Sequence, residues 1–387
     1  MAGEPEGGLV ARPERIEAAP GHATLRLHAL TGLRWWAAFW VFCHHLLNYT
    51  SVPLVLLLPM RIGHLGVTFF FVLSGFVLTW SWASKVRIST FYTRRFARIY
   101  PSHFVALLIA IPVFYATNPN PAHSWVKPWD LGVVSLSVPL LQGWSRDPDV
   151  LFSGNPAAWT LSCEAFFYAL HPLVMMALAR MRARGALWLA LGSLGMAVVY
   201  RWICLGSPDA WWAAGMPWPI ARFPEFVVGM GLAWAMRHGW RPRIPHWLGW
   251  GVFGGALVLL SVASYRTYLA PAARFTNEIM LAACALIIAV VAAHAAAGKR
   301  SLLATRPLVA LGNWSYAFYL VHSTVIYAVL NLVGPAAGRT HTIGGSAALL
   351  GASIGLAFVL HRWVEIPLER RIRAWKDARD RHYTSLR

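Results

Sequence analysis

Long apolar stretches recur along the chain at roughly 33–51, 64–82, 99–116, 158–179, 186–205, 219–236, 246–264, 277–297, 314–334 and 344–362. Each approaches the ~20 residues that a helix needs to cross the hydrocarbon core of a bilayer. The pattern predicts an all-α integral membrane protein of about ten transmembrane helices. No repeat of fixed period and no Pro-rich or Gly/Ser-rich linker divides the chain. One membrane domain is therefore expected over 31–364. The preceding segment, 1–30, is polar and lacks the apolar core of a signal peptide, so a cytoplasmic lead-in is expected there. A basic cytoplasmic tail is expected over 365–387.

Composition strengthens this reading. The chain is 57% apolar and only 13% charged, about half the charged share of a soluble domain. The net charge of +19 would suit a nucleic-acid partner, but the Lys and Arg residues sit between apolar stretches, in no basic arm with interleaved aromatics. Nucleic acid is not expected, and anionic lipid is. Assigned to the nearest connection, most basic residues fall on alternate loops, among them Arg94, Arg95 and Arg98, then Arg180, Arg182 and Arg184, then Arg237, Arg241 and Arg243, and the tail. That asymmetry predicts a multi-pass protein of the cell membrane with both termini inside. Cys43, Cys163, Cys204 and Cys284 stand singly, which indicates neither a disulfide framework nor a metal site. The longest connection, 117–157, falls outside and holds its own apolar stretch, Leu131–Leu141, expected to be a re-entrant or surface helix lining a site.

Ionisable residues inside membrane helices are costly and mark function by default. In the first helix Arg34 and His45 are eleven positions apart, which puts them on one face about 16 Å apart along the axis, with His45 near mid-depth. His44 is rotated by roughly 100° and is not expected to share that cleft. His45 fits two readings: a histidine hydrogen-bonded between helices, or a base that takes a proton from a hydroxyl. Glu164 lies in Trp159-Thr-Leu-Ser162-Cys-Glu164-Ala-Phe-Phe-Tyr168. It either orients and charge-stabilises a histidine or sits as a carboxylate at a helix N-terminus. Glu225 and Glu365 are expected to pair with neighbouring arginines and hold helix ends. Arg95 and Arg98 share one face at the start of the third helix with no acid nearby in sequence, a natural phosphate site; the competing reading is ordinary anchoring against anionic lipid. There is no Gly-x-Ser-x-Gly elbow to suggest a serine nucleophile.

The order and spacing of these pieces resemble one family. Arg34 and His45 are followed by Gly63-His-Leu-Gly66-Val67, Phe69-Phe-Phe-Val-Leu-Ser74-Gly75-Phe76, Arg95-x-x-Arg98 and Trp159-x-Leu-Ser-x-Glu164. Then come Arg222-x-x-Glu225-Phe226-x-x-Gly229, Leu311-Gly-Asn-Trp-Ser315-Tyr316-x-x-Tyr319-Leu-Val-His322 and Glu365-x-Pro367. The set is similar to the acyltransferase-3 membrane O-acyltransferases. Thr68 departs from the pattern, since relatives often carry an acidic or amide residue there.

The resemblance implies a ten-helix core and transfer of an acyl group from acyl-CoA to a hydroxyl without a metal. It implies His45 as the catalytic base and Arg95 and Arg98, with Arg34, as contacts for the donor's phosphates. Glu164 would assist His45, and Trp159, Ser162, Ser315 and Tyr316 would contact substrate or the oxyanion. The opening Thr31-Gly-Leu-Arg34-Trp-Trp is similar to actinomycete enzymes that acylate hydroxyls of macrolide antibiotics, while other stand-alone relatives acylate glycans or lipid-linked sugars. The rival class is a transporter or flippase that performs no chemistry; the chain shows no inverted repeat to favour it.

Overall fold

The computed structural model describes residues 27–50, 54–83, 86–210, 212, 215–266, 269–334 and 343–385. Most of the polar lead-in expected over 1–30 lies outside these residues. Each apolar window falls on one long helix: α1 His28–Leu46, α2 Gly66–Trp80, α3 Ile88–Phe114, α4 Trp159–Leu178, α5 Ala183–Gly206, α6 Phe223–Arg237, α7 His246–Ala263, α8 Thr276–Ala296, α9 Arg306–Val333 and α10 Ile343–Leu360. Among the described residues eight helical stretches are long and apolar enough to cross a membrane. Neither α1, which carries Arg34, His44 and His45, nor the 15-residue α6 is among them. The latter is enclosed by protein, with every residue from Pro224 to Ala233 buried, as expected of a helix that is apolar all round. Conversely, α5 and α7 run at the rim, where Trp188 and Trp247 are 73% and 72% exposed.

With no hydrophobic drive between helices in lipid, close packing relies on small residues. A β-carbon at Gly229 of α6 would lie 1.9 Å from the carbonyl oxygen of Val72, and one at Gly75 of α2 would lie 2.0 Å from that of Phe226. These paired glycines let α2 and α6 touch backbone to backbone. Gly312 of α9 does the same against the carbonyl of Thr31 in α1.

The basic connections gather at one end of the bundle. Arg237 donates to the carbonyls of Thr79 and Trp82, Trp234 donates to that of Met181, and Gly32 abuts Leu303. The same end holds the C-terminal segment. A π-helical turn, His361–Glu365, carries α10 into α11, Ile366–Ser385. The expected basic tail is thus a helix docked on the start of α3, where Thr90 donates to Asp380 at 2.6 Å and Arg94 pairs with Asp377 at 3.5 Å.

At the opposite end lies the long connection. Its apolar stretch forms a short helix, Leu131–Ser137, started by Asp130, whose side chain accepts from the backbone N–H of Val133. Buried bonds tie this segment down: His103 to the carbonyl of Ser137 at 2.9 Å, Ser137 to Ser153 at 2.7 Å, and Asn155 Nδ2 to the carbonyl of Leu320 at 2.8 Å.

Candidate active site

Two cavities meet inside the bundle. The smaller, about 130 Å³, is lined from α1, α2, α3, α4 and α9, and its polar residues include Arg34, Ser74, Arg95, Arg98, Glu164, Tyr168, Ser315 and Tyr316. The larger, about 790 Å³, opens among the residues opposite the basic end and carries His44, His45, His64, Arg222, Glu225 and Asn277. Val67 of α2 and Tyr319 of α9 line both. They mark where the two adjoin.

The smaller cavity gathers cations in unequal states. Arg98 is tied to Glu365 and lies 3.4 Å from Glu369. The expectation that nothing acidic is near to neutralise the two arginines is therefore corrected for Arg98: both of its carboxylates come from the far end of the chain, out of reach of any local reading. Glu365 does hold a helix end, by pairing across helices with Arg98. Arg95 has no ion pair among the described residues, its Nε is buried without a partner, and its guanidinium lies about 6.0 Å from the rings of Phe91 and Tyr168. The guanidinium of Arg34 likewise makes no ion pair or hydrogen bond among the described residues. Glu164 accepts from Tyr168 Oη at 3.2 Å, and Tyr168 also meets Ser74 at 3.2 Å.

Glu164 and His45 line different cavities, so the structure does not bring the carboxylate to the histidine. The reason is helical phase: Glu164 and Tyr168, four residues apart on α4, face α2 and the cationic cavity, while Trp159 at the start of α4 faces the larger one.

His45 sits in the last turn of α1, which stops at Leu46, rather than midway along the helix. Both it and His44 line the larger cavity. The expectation that His44 would face elsewhere is corrected, because the cavity spreads around the end of the helix instead of lying along one face. His44 is held by the carbonyl of Met60 at 3.1 Å. His45 instead faces His322 of α9, with ring centroids 5.2 Å apart.

The hydroxyl candidates separate as well. Ser162 is buried away from both cavities and accepts from the backbone N–H of Gly143 at 3.2 Å. Ser315 donates to the carbonyl of Gly312 at 2.7 Å, and Tyr316 to that of Ile99 at 2.8 Å. Both line the smaller cavity with their protons already committed to the backbone. The apolar stretch Leu131–Leu141 does not line the site, but its flanks do, through Trp125, Lys127 and residues from Arg146 to Ala157.

The acyltransferase-domain family matches residues 27–362, nearly the whole described bundle. The chain belongs to the acyltransferase-3 family. The acyltransferase MdmB of Streptomyces mycarofaciens is 36% identical over 368 residues, covering 89% of this chain and 92% of that protein. The putative peptidoglycan O-acetyltransferase YrhL of Bacillus subtilis is 24% identical over 325 residues, covering 77% of this chain and 48% of that protein. No solved structure matches the chain. Family and apolar helices agree on a multi-pass membrane acyltransferase.

One polar network at this site escaped the sequence reading. Thr68 is fully buried; it donates to Asn277 Oδ1 at 2.9 Å and accepts from Arg222 at 3.1 Å. Asn277 also accepts from Arg222 and donates to Glu225 at 2.9 Å, and Arg222 lies 3.0 Å from Glu225. The amide that meets Thr68 is thus supplied across the interface by α8. Asn277 beside Glu278 at the start of an otherwise largely apolar helix was the available signal.

Proposed function

We propose that the protein moves a short acyl group, of acetyl or propionyl type, from acyl-CoA to a hydroxyl of a macrolide or related glycoside. The observation that carries this reading is the pair of adjoining cavities that share Val67 and Tyr319 in their linings. The donor enters from the basic end with its phosphates on Arg34 and Arg95, and on Arg98 as far as the donor competes with Glu369; charge-assisted contacts of this kind are the strong ones. Its thioester reaches Val67 and Tyr319, where the two cavities adjoin. The acceptor occupies the larger cavity, whose 790 Å³ falls within the ~300–1,000 Å³ of pockets that enclose drug-sized ligands. Its walls include Phe114, Trp125, Trp159, Trp218 and Tyr327, which suits a large, partly apolar acceptor.

His45 takes the proton of the acceptor hydroxyl as the oxygen attacks the thioester carbonyl. The C–O bond forms, the C–S bond breaks, and the proton on His45 passes to the departing thiolate. The 36% identity to MdmB over nearly its whole length supports the actinomycete comparison behind the choice of a macrolide. A second reading, O-acetylation of surface polysaccharide or lipid-linked sugar, draws on the weaker likeness to YrhL.

Detergent-purified protein, incubated with radiolabelled acetyl- and propionyl-CoA against a panel of macrolides, glycosides and peptidoglycan fragments, tests both. Label on a macrolide supports the first reading and label on the glycan the second. No label on any acceptor, with label carried across vesicles, favours a transporter.

A further inference from the structure

His322 is fully buried, and its Nδ1 lies 2.8 Å from the carbonyl of Tyr319 and 3.2 Å from that of Phe318. Carbonyls only accept, so Nδ1 carries the proton and Nε2 is left with its lone pair. That Nε2 is buried and has no partner. A bare acceptor of this kind costs about 1–3 kcal/mol unless something satisfies it. Because Nδ1 turns back onto α9, Nε2 points away from its own helix. The aromatic rings of α1 that meet His322 are Phe42 at 6.4 Å and His45 at 5.2 Å between centroids, and Phe318 stacks on its other face at 5.8 Å. His322 is therefore fixed in tautomer and in place. The imidazole of His45 has no hydrogen bond among the described residues. With the ring centroids 5.2 Å apart, an N–H···N bond of roughly 3 Å requires the His45 side chain to turn toward Nε2.

We propose that His322 is the positioning residue for His45: its Nε2 accepts the N–H of His45, fixes the tautomer of that ring, and leaves the other nitrogen bare toward the acceptor cavity. When His45 takes the acceptor's proton, the same bond becomes charge-assisted and strengthens. A carboxylate would do this more strongly, but Glu164 is in the other cavity. The role rests on the reading of His45 as base.

The test uses full-length protein labelled with ¹⁵N-histidine in bilayers, with the His45 signals assigned by their loss in His45→Ala. Wild type and His322→Gln, whose amide oxygen still accepts, should show His45 in one neutral tautomer, whereas His322→Leu should show a mixture. With [¹⁴C]acetyl-CoA and a macrolide, His322→Leu should lose on the order of 10²-fold in kcat, the lower end of a general base's contribution, at unchanged donor KM. His322→Gln should recover at least a tenth of the wild-type rate. An unchanged tautomer in His322→Leu, or equal losses in the Leu and Gln variants, overturns the proposal. Full turnover in His45→Ala sinks the reading of His45 as base, while the tautomer spectra still decide whether His322 fixes that ring.

Discussion

Replacing Arg95 with alanine removes a guanidinium that has no carboxylate to leave behind, whereas the same change at Arg98 leaves the fully buried side chain of Glu365 with only His361, 3.2 Å away, beside it. The two variants should therefore fail differently. A charge-assisted contact to phosphate is worth roughly 1.5–3 kcal/mol, so Arg95→Ala should raise the apparent acyl-CoA constant about tenfold to a hundredfold with little loss of stability. Breaking a buried ion pair by removing one partner costs about 3–5 kcal/mol. Arg98→Ala should thus melt well below wild type, and adding Glu365→Gln should recover part of that loss through the shared pair. The assay is steady-state kinetics with acyl-CoA and with a short thioester lacking the nucleotide, beside thermal melts in the same detergent. For Arg95→Ala the defect should vanish with the short donor. If both donors suffer equally, Arg95 holds structure and not phosphate. If Arg98→Ala is as stable as wild type, the ion pair to Glu365 is not what secures the turn that leads into α11.

Glu164→Gln should alter the donor constant and leave the acid limb of the pH–rate profile in place, since Glu164 faces Arg34 and Arg95 rather than His45; a shifted limb at constant donor affinity would mean that the carboxylate reaches the histidine after all. Gly229→Val should destabilise by about 1–3 kcal/mol or more, because the added carbons meet the backbone of Val72 and not a movable side chain; unchanged melting would show that α2 and α6 do not pack this closely.

The helices under the apolar windows were legible because apolar length is the property that lipid imposes on a spanning helix, and eight of the ten meet it among the described residues. Their ends were less so: α3 begins well before its apolar window because the stretch with Arg94, Arg95 and Arg98 is helical too, and α1 stops short at Leu46. The basic loops likewise foretold which connections share an end. What escaped was pairing between distant segments. Nothing near Arg98 in sequence announces Glu365, and nothing near Thr68 announces Asn277. Helical phase alone also misjudged His44, since a cavity at a helix end takes in more than one face. His322 was visible as part of a motif, but its role depends on which nitrogen its own helix engages.

Single-turnover transfer from radiolabelled acyl-CoA, with donor binding measured on the same samples, tests whether His45 is the base for acyl transfer. His45→Ala should lose about 10²–10⁴-fold in the rate of transfer while still binding acyl-CoA, and His44→Ala should keep substantial activity. Transfer at the wild-type rate in His45→Ala, or equal losses at both positions, would rule out His45 as that base.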